Sequence, residues 1–245
     1  MRDTRIIMGM PVIVDIPTAT SDTLDAVFDY FTAIDARFST YKEDSEISKI
    51  DRGDIGAADY SDEMREIFAL AEQTTRETAG FFSIVRPDGH IDPSGVVKGW
   101  AIWQAAKLVE SRGFDHYYVE VGGDIQTKGV DERGEPWTIG IRNPFKHQEI
   151  VKVVRPGGRG VATSGTYVRG QHIYNPHVPG TALTEVVSLT VVGPDIYEAD
   201  RFATAAFAMG RDGIFFIEQL PGFEGYAIDA HGIATMTTGF TQLTL

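Results

Sequence analysis

Residues 137–163 read WTIGIRNPFKHQEIVKVVRPGGRGVAT. Three segments rich in β-branched residues, 137–141, 149–154 and 160–163, follow one another here with only Asn, Pro and Gly as punctuation. Similar segments lie on either side, at 117–121 and 185–192. The helical pattern is kept outside this block. Residues 21–38 carry Leu24, Val27, Phe28, Phe31, Ile34 and Phe38 at close to a 3.6-residue repeat, with Ser21 as candidate N-cap. Ser61 opens a second helix whose apolar face is Met64, Ile67, Phe68 and Ala71, with Gly80 placed to end it. A third begins after Asp92 and Pro93, passes Trp100 and Leu108, and stops at Gly113. A fourth covers 196–209, with Asp195 and Glu198 spaced as a capping box and Gly210 at its end, and a short helix follows near 213–219. Strands at 225–229 and 232–238 then form a hairpin across Ala230, His231 and Gly232. Runs of strands set between long helices, rather than strict alternation, predict an α+β fold with a mixed or antiparallel β-sheet core flanked by helices.

The 245 residues can bury a sizeable core, and the absence of a linker, repeat or low-complexity segment predicts a single domain over 1–245. A formal net charge of −13 disfavours a nucleic-acid partner, because phosphate binding needs clustered cations. With no cysteine, disulfides, thiolate metal sites and cysteine nucleophiles are excluded. No stretch approaches the ~20 apolar residues of a membrane span. The opening residues, MRDTRIIMGMPVIVDIP, alternate like a strand rather than an export signal, from which a cytoplasmic protein, monomer or homodimer, is expected.

Several short stretches are candidates for chemistry, each with a structural alternative. Residues 92–99, DPSGVVKG, combine a helix start, two glycines and Lys98, an arrangement that suits a pyrophosphate and equally suits a capped helix with a solvated lysine. Gly122, Gly123 and Asp124 permit close approach of a ligand to the backbone or simply a tight turn. The hydroxyls of 163–166 bind phosphate or satisfy a bend. Asp200 and Thr204, four apart on a helix otherwise mostly alanine and apolar, project from one face and could share a hard cation. The alternative is an aspartate offsetting the helix dipole and a threonine bonding backwards. His172, before Tyr174 and Pro176, is a candidate general base or a structural histidine; the remaining histidines show no zinc spacing, and neither a serine-hydrolase elbow nor a P-loop is present.

Taken together and in order, these stretches resemble the ApbE family of FAD:protein FMN transferases over essentially the whole chain. The resemblance rests on Met8 and Gly9; Arg37, Phe38, Ser39, Thr40 and Tyr41 with Asp44, Ser45 and Glu46; residues 92–99; Gly122, Gly123 and Asp124; Ile141, Arg142, Asn143 and Pro144; Thr163, Ser164 and Gly165; residues 172–176; and residues 199–210. It implies a T-fold-like architecture, FAD as substrate and a magnesium ion, with calcium or manganese as alternatives. It also implies release of AMP as FMN is linked to a Ser or Thr of an acceptor redox flavoprotein. The metal ligands it implies are the Gly95 carbonyl and the side chains of Asp200 and Thr204. The flavin-nucleotide contacts are Met8, Tyr41, Asp92, Lys98 and Tyr174, and His172 is the base. An FAD pyrophosphatase or a non-catalytic FAD carrier would need the same site.

Three departures from the family pattern stand out. Members commonly carry an export signal and a lipid-attachment cysteine, so the chain resembles a short intracellular form. Phe81, Phe82 and Ser83 stand where phenylalanine and aspartate are usual, and the loop before Asp92 is shorter. Asn175 replaces an aspartate before Pro176.

Overall fold

A computed structural model of the chain describes residues 1–146, 148–166 and 173–245. Among these, eight strands make one sheet in the order β1 (Arg2–Ile7), β2 (Met10–Asp15), β3 (Tyr117–Val121), β4 (Asp124–Lys128), β7 (Gly160–Gly165), β8 (Val186–Gly193), β9 (Glu224–Asp229) and β10 (Ala234–Met236). Every pairing in it is antiparallel. The expected α+β class with an antiparallel core therefore holds. The strands β5 (Ile139–Arg142) and β6 (Ile150–Val154), read from the sequence as part of the same run, pair only with each other. They leave the sheet because Ile139, Ile141 and Val154 are needed beneath it. There they close a second core with Ile125, Val161, Val192, Tyr226, Ile228 and Phe240.

The other face carries the helices α1 (Ser21–Phe38), α2 (Glu46–Asp51), α3 (Asp62–Glu77), α4 (Ser94–Ser111), α5 (Ile196–Ala208) and α6 (Gly213–Glu218). The six apolar positions read as the face of α1 are all buried. Ser21 is its first helical residue rather than its cap, and Thr20 precedes it without a capping bond. Ser61 caps α3 as expected, its hydroxyl accepting the Met64 N–H at 3.2 Å. At the end of α3, Gly80 turns back with φ 82° and donates to the Thr75 carbonyl at 2.8 Å. α4 and α5 lie deepest. α4 is rich in Ala, Val and Gly and α5 in Ala, which lets them pack closely on each other and on the sheet. No helix of the described residues is long and apolar enough to cross a membrane.

The alternation of strand directions brings four connections to one end of the sheet. These are the turn at Met8 and Gly9, the turn at Gly122 and Gly123, the stretch after Gly165, and the turn between β9 and β10. Met8 has φ 55° and Gly9 φ 70°, and the Gly122 N–H donates to the Pro11 carbonyl at 3.1 Å, so the first two turns lie side by side.

Candidate active site

α4 starts at this end of the sheet. The Asp92 N–H donates to the Ile84 carbonyl (2.7 Å), and Asp92 Oδ1 accepts the Ser94 N–H (3.1 Å), so the helix begins after Asp92 and Pro93, as the sequence suggested. α5 approaches from the opposite end, where the Ile196 N–H donates to Gln126 Oε1 of β4 at 2.9 Å. It runs antiparallel to α4 until Thr204 lies beside Gly95. A Cβ on Gly95 would stand 3.4 Å from the Thr204 methyl and 3.0 Å from the Phe82 ring.

Deeper between the two helices, the Gly99 N–H donates to Asp200 Oδ2 at 2.8 Å, and a Cβ on Gly99 would fall 2.7 Å from that of Asp200. Asp200 is 2% exposed. Its other oxygen, Oδ1, lies 3.3 Å from the Lys98 ammonium, which also pairs with Asp124 Oδ2. Asp124 is 1% exposed and takes the Thr163 N–H on Oδ1 at 2.9 Å. Thr163 in turn shares a hydroxyl bond with Thr190 at 2.8 Å. Among the described residues, two buried carboxylates thus face one ammonium, one formal negative charge in excess. Burial pushes the Asp200 pKa up to about 7, Lys98 pulling it down and Asp124 adding to the rise. A buried charge of this kind needs a further partner. A carboxylate, a hydroxyl and a backbone carbonyl are hard oxygen donors suited to magnesium. No group of three His, Asp or Glu side chains able to hold a metal occurs among the described residues. A cation here would therefore draw on neutral oxygens as well.

The structural alternatives for Asp200 and Thr204 do not fit. The acid of the first turn of α5 is Glu198, and the cap is Asp195, whose side chain accepts the Glu198 N–H at 2.9 Å. The hydroxyls of Thr74, Thr75 and Thr78 bond back to carbonyls of α3, whereas Thr204 forms no such bond among the described residues.

A loop between α3 and α4 closes over the helix start. Asp51 of α2 fastens it, Oδ1 accepting the Ile91 N–H and Oδ2 meeting His90 Nδ1, both at 2.7 Å. The Asp51 carboxylate raises the His90 pKa, while the Ile91 N–H, followed by His90, lowers that of Asp51. Tyr174 lies against this loop, its hydroxyl donating to the Val85 carbonyl at 2.9 Å. Asn175 Oδ1 accepts the His177 N–H at 2.9 Å, an acceptor that the aspartate usual in the family would also supply. The His177 ring meets Phe81 with centroids 4.5 Å apart, and its Nε2 is 3.0 Å from the Ala79 carbonyl.

Of the residues singled out from sequence, Gly95, Lys98, Asp200 and Thr204 are brought together, with Asp92 at the head of the same helix. Met8 and Tyr174 sit on connections at the same end of the fold. Tyr41 is 97% exposed, and its one described hydrogen bond runs from its N–H to Ser39 Oγ at 3.4 Å. His172 lies outside the described residues. Asp124 was noted in the sequence for its glycines rather than its charge. The signal available was an acid at the first position of a strand whose next three residues are buried.

A family model described as the ApbE family matches residues 8–87 and 85–227. The chain belongs to the ApbE family. Among curated relatives, an FAD:protein FMN transferase of Vibrio cholerae is 36% identical over 135 residues, 51% of this chain and 40% of that protein. One of Escherichia coli K12 is 31% identical over 155 residues, 60% of this chain and 44% of that protein. The matched part is thus less than half the length of either relative. In three dimensions the ApbE fold extends further. The flavin transferase ApbE from Vibrio cholerae superposes with a TM-score of 0.85 at 23% identity, covering 99% of this chain and 98% of that one. The ApbE protein from Thermotoga maritima gives 0.88 at 20% identity, covering 100% and 99%.

Proposed function

We propose that this chain is a magnesium-dependent transferase that moves FMN from FAD to the hydroxyl of a Ser or Thr in an acceptor redox flavoprotein, releasing AMP. The names of the ApbE relatives support the reaction type. The observation that carries the magnesium reading is the excess buried negative charge at Asp200, beside Thr204 and the Cβ-less Gly95. The Gly95 carbonyl, the Asp200 carboxylate and the Thr204 hydroxyl would hold the ion. When bound, magnesium supplies charge neutralisation for pyrophosphate oxygens.

The chain's own groups do the rest. Lys98, at the head of α4, offers an ammonium to the phosphates. Met8, Tyr41, Asp92 and Tyr174 contact the flavin nucleotide, Tyr41 from a fully exposed position that FAD would cover. His172 takes the proton from the acceptor hydroxyl as its oxygen bonds to the FMN phosphorus. The bond from that phosphorus to the bridging oxygen breaks, and AMP leaves with it. A site that holds both halves of the dinucleotide binds FAD more tightly than FMN, which calorimetry with the two ligands measures.

The deciding experiment combines the chain with FAD, magnesium and a candidate acceptor protein. Mass spectrometry is expected to find one FMN added to a Ser or Thr for each AMP released. AMP accompanied by free FMN would make the chain a pyrophosphatase, and no AMP at all would make it a flavin carrier.

A further inference from the structure

Asp124 has no place in the reaction just described, yet it is as buried as Asp200 and meets the same ammonium. It is fixed in place: β4 is paired on both sides, and Oδ1 is held by the Thr163 N–H. Oδ2 is buried and, among the described residues, accepts no directed hydrogen bond, its partner there being the Lys98 charge. On the other side of Lys98, Asp200 has one oxygen committed to the Gly99 N–H, which leaves Oδ1 as the oxygen facing the ammonium. An ammonium that closed fully on Oδ1 would neutralise the carboxylate and occupy the place of a competing cation. We infer that Asp124 is the counter-ion that retains the Lys98 ammonium and so keeps Asp200 available to a divalent cation.

Asp124 is then a positioning residue acting through Lys98. The inference rests on the reading of Asp200 as a cation ligand. Without the charge at 124, Lys98 swings to Asp200 and competes with magnesium.

A double-mutant cycle read by magnesium calorimetry tests this on four proteins: wild type, Asp124→Asn, Lys98→Met and the double variant. Asparagine keeps an oxygen for the Thr163 N–H. Asp124→Asn is expected to weaken magnesium binding by roughly tenfold or more, equivalent to ~1.4 kcal/mol. Lys98→Met is expected to change affinity by less than about threefold in the wild type but to restore about tenfold or more in the Asp124→Asn background, the non-additivity of coupled neighbours. A Lys98→Met effect of the same size in both backgrounds would mean a simple field effect and would overturn the inference while leaving the cation reading intact. A wild type that binds no magnesium would overturn both. If thermal melts show Asp124→Asn to be unfolded, Asp124→Ser, whose hydroxyl can still accept the Thr163 N–H, takes its place in the cycle.

Discussion

At the scale of single residues, Asp200 couples stability to pH in a way that a surface carboxylate would not. Its folded-state pKa is raised from the ordinary 3.8 by burial, so the folded protein holds a proton that the unfolded chain has released. The stability this contributes is complete below about pH 4 and is lost as pH rises toward 7. In metal-free buffer, wild-type melting temperatures are therefore expected to fall across that window relative to Asp200→Asn, which has no proton to lose. Parallel curves for the two proteins would contradict this. The same variant is expected to lower AMP release by orders of magnitude in limiting magnesium, with partial rescue at high magnesium, and Thr204→Val to give a milder defect because a neutral hydroxyl is the weaker ligand. Asn175 offers a smaller test. Asn175→Asp keeps the oxygen that accepts the His177 N–H and is expected to be neutral, whereas Asn175→Ala is expected to cost ~1 kcal/mol in denaturant titrations.

At the scale of elements, α5 is held from both sides by features that differ in how easily they are read. The spacing of Asp200 and Thr204 is visible in the sequence because four residues is one helical turn. The fit of Gly99 against Asp200 is not, since it depends on where a second helix lies. Gly99→Ala places a methyl 2.7 Å from the Asp200 Cβ and 2.9 Å from the Ile196 carbonyl, a clash relieved only by parting α4 from α5. It is expected to cost ~1–3 kcal/mol and to weaken magnesium binding together with stability. Arg201, the residue after Asp200, is 3% exposed. Its guanidinium pairs with Glu77 of α3 and with Glu198, at 2.6 Å, and lies 4.0 Å from the Phe202 ring centroid. Arg201→Ala strands Glu198 in a half-buried position and is expected to destabilise by ~3–5 kcal/mol. Arg201→Lys is expected to recover only part of that, because an ammonium cannot pair along two edges and stack as well. Chemical denaturation of the three proteins measures both.

For the whole molecule, the order of the long helices and of most strands was legible from the residues, whereas the short α2, the division of the opening strand into β1 and β2, and the partners of the strands were not. The punctuation by Gly, Asn and Pro located the segments at 137–141 and 149–154 to within two residues. Nothing in their alternation indicated that β5 and β6 would fold beneath the sheet instead of extending it. An apolar strand facing a second core reads the same as one facing the first. The separateness of that second core is itself testable. Phe240, fully buried and stacked on Tyr226, anchors it on the face opposite α4 and α5. Phe240→Ala is expected to cost ~3–5 kcal/mol while leaving magnesium affinity unchanged in the folded fraction.

The tie between Gly99 and Asp200 joins positions 101 residues apart in the chain. Pairings that close so long a loop form after neighbouring strands and helices have already met, because their entropy must be met before they add stability. The cluster around Asp200 is therefore expected to order late in folding. Stopped-flow kinetics are expected to show magnesium slowing the unfolding limb of the chevron and leaving the refolding limb where it was, so that the ion acts as a latch on a finished structure rather than as a template for making it.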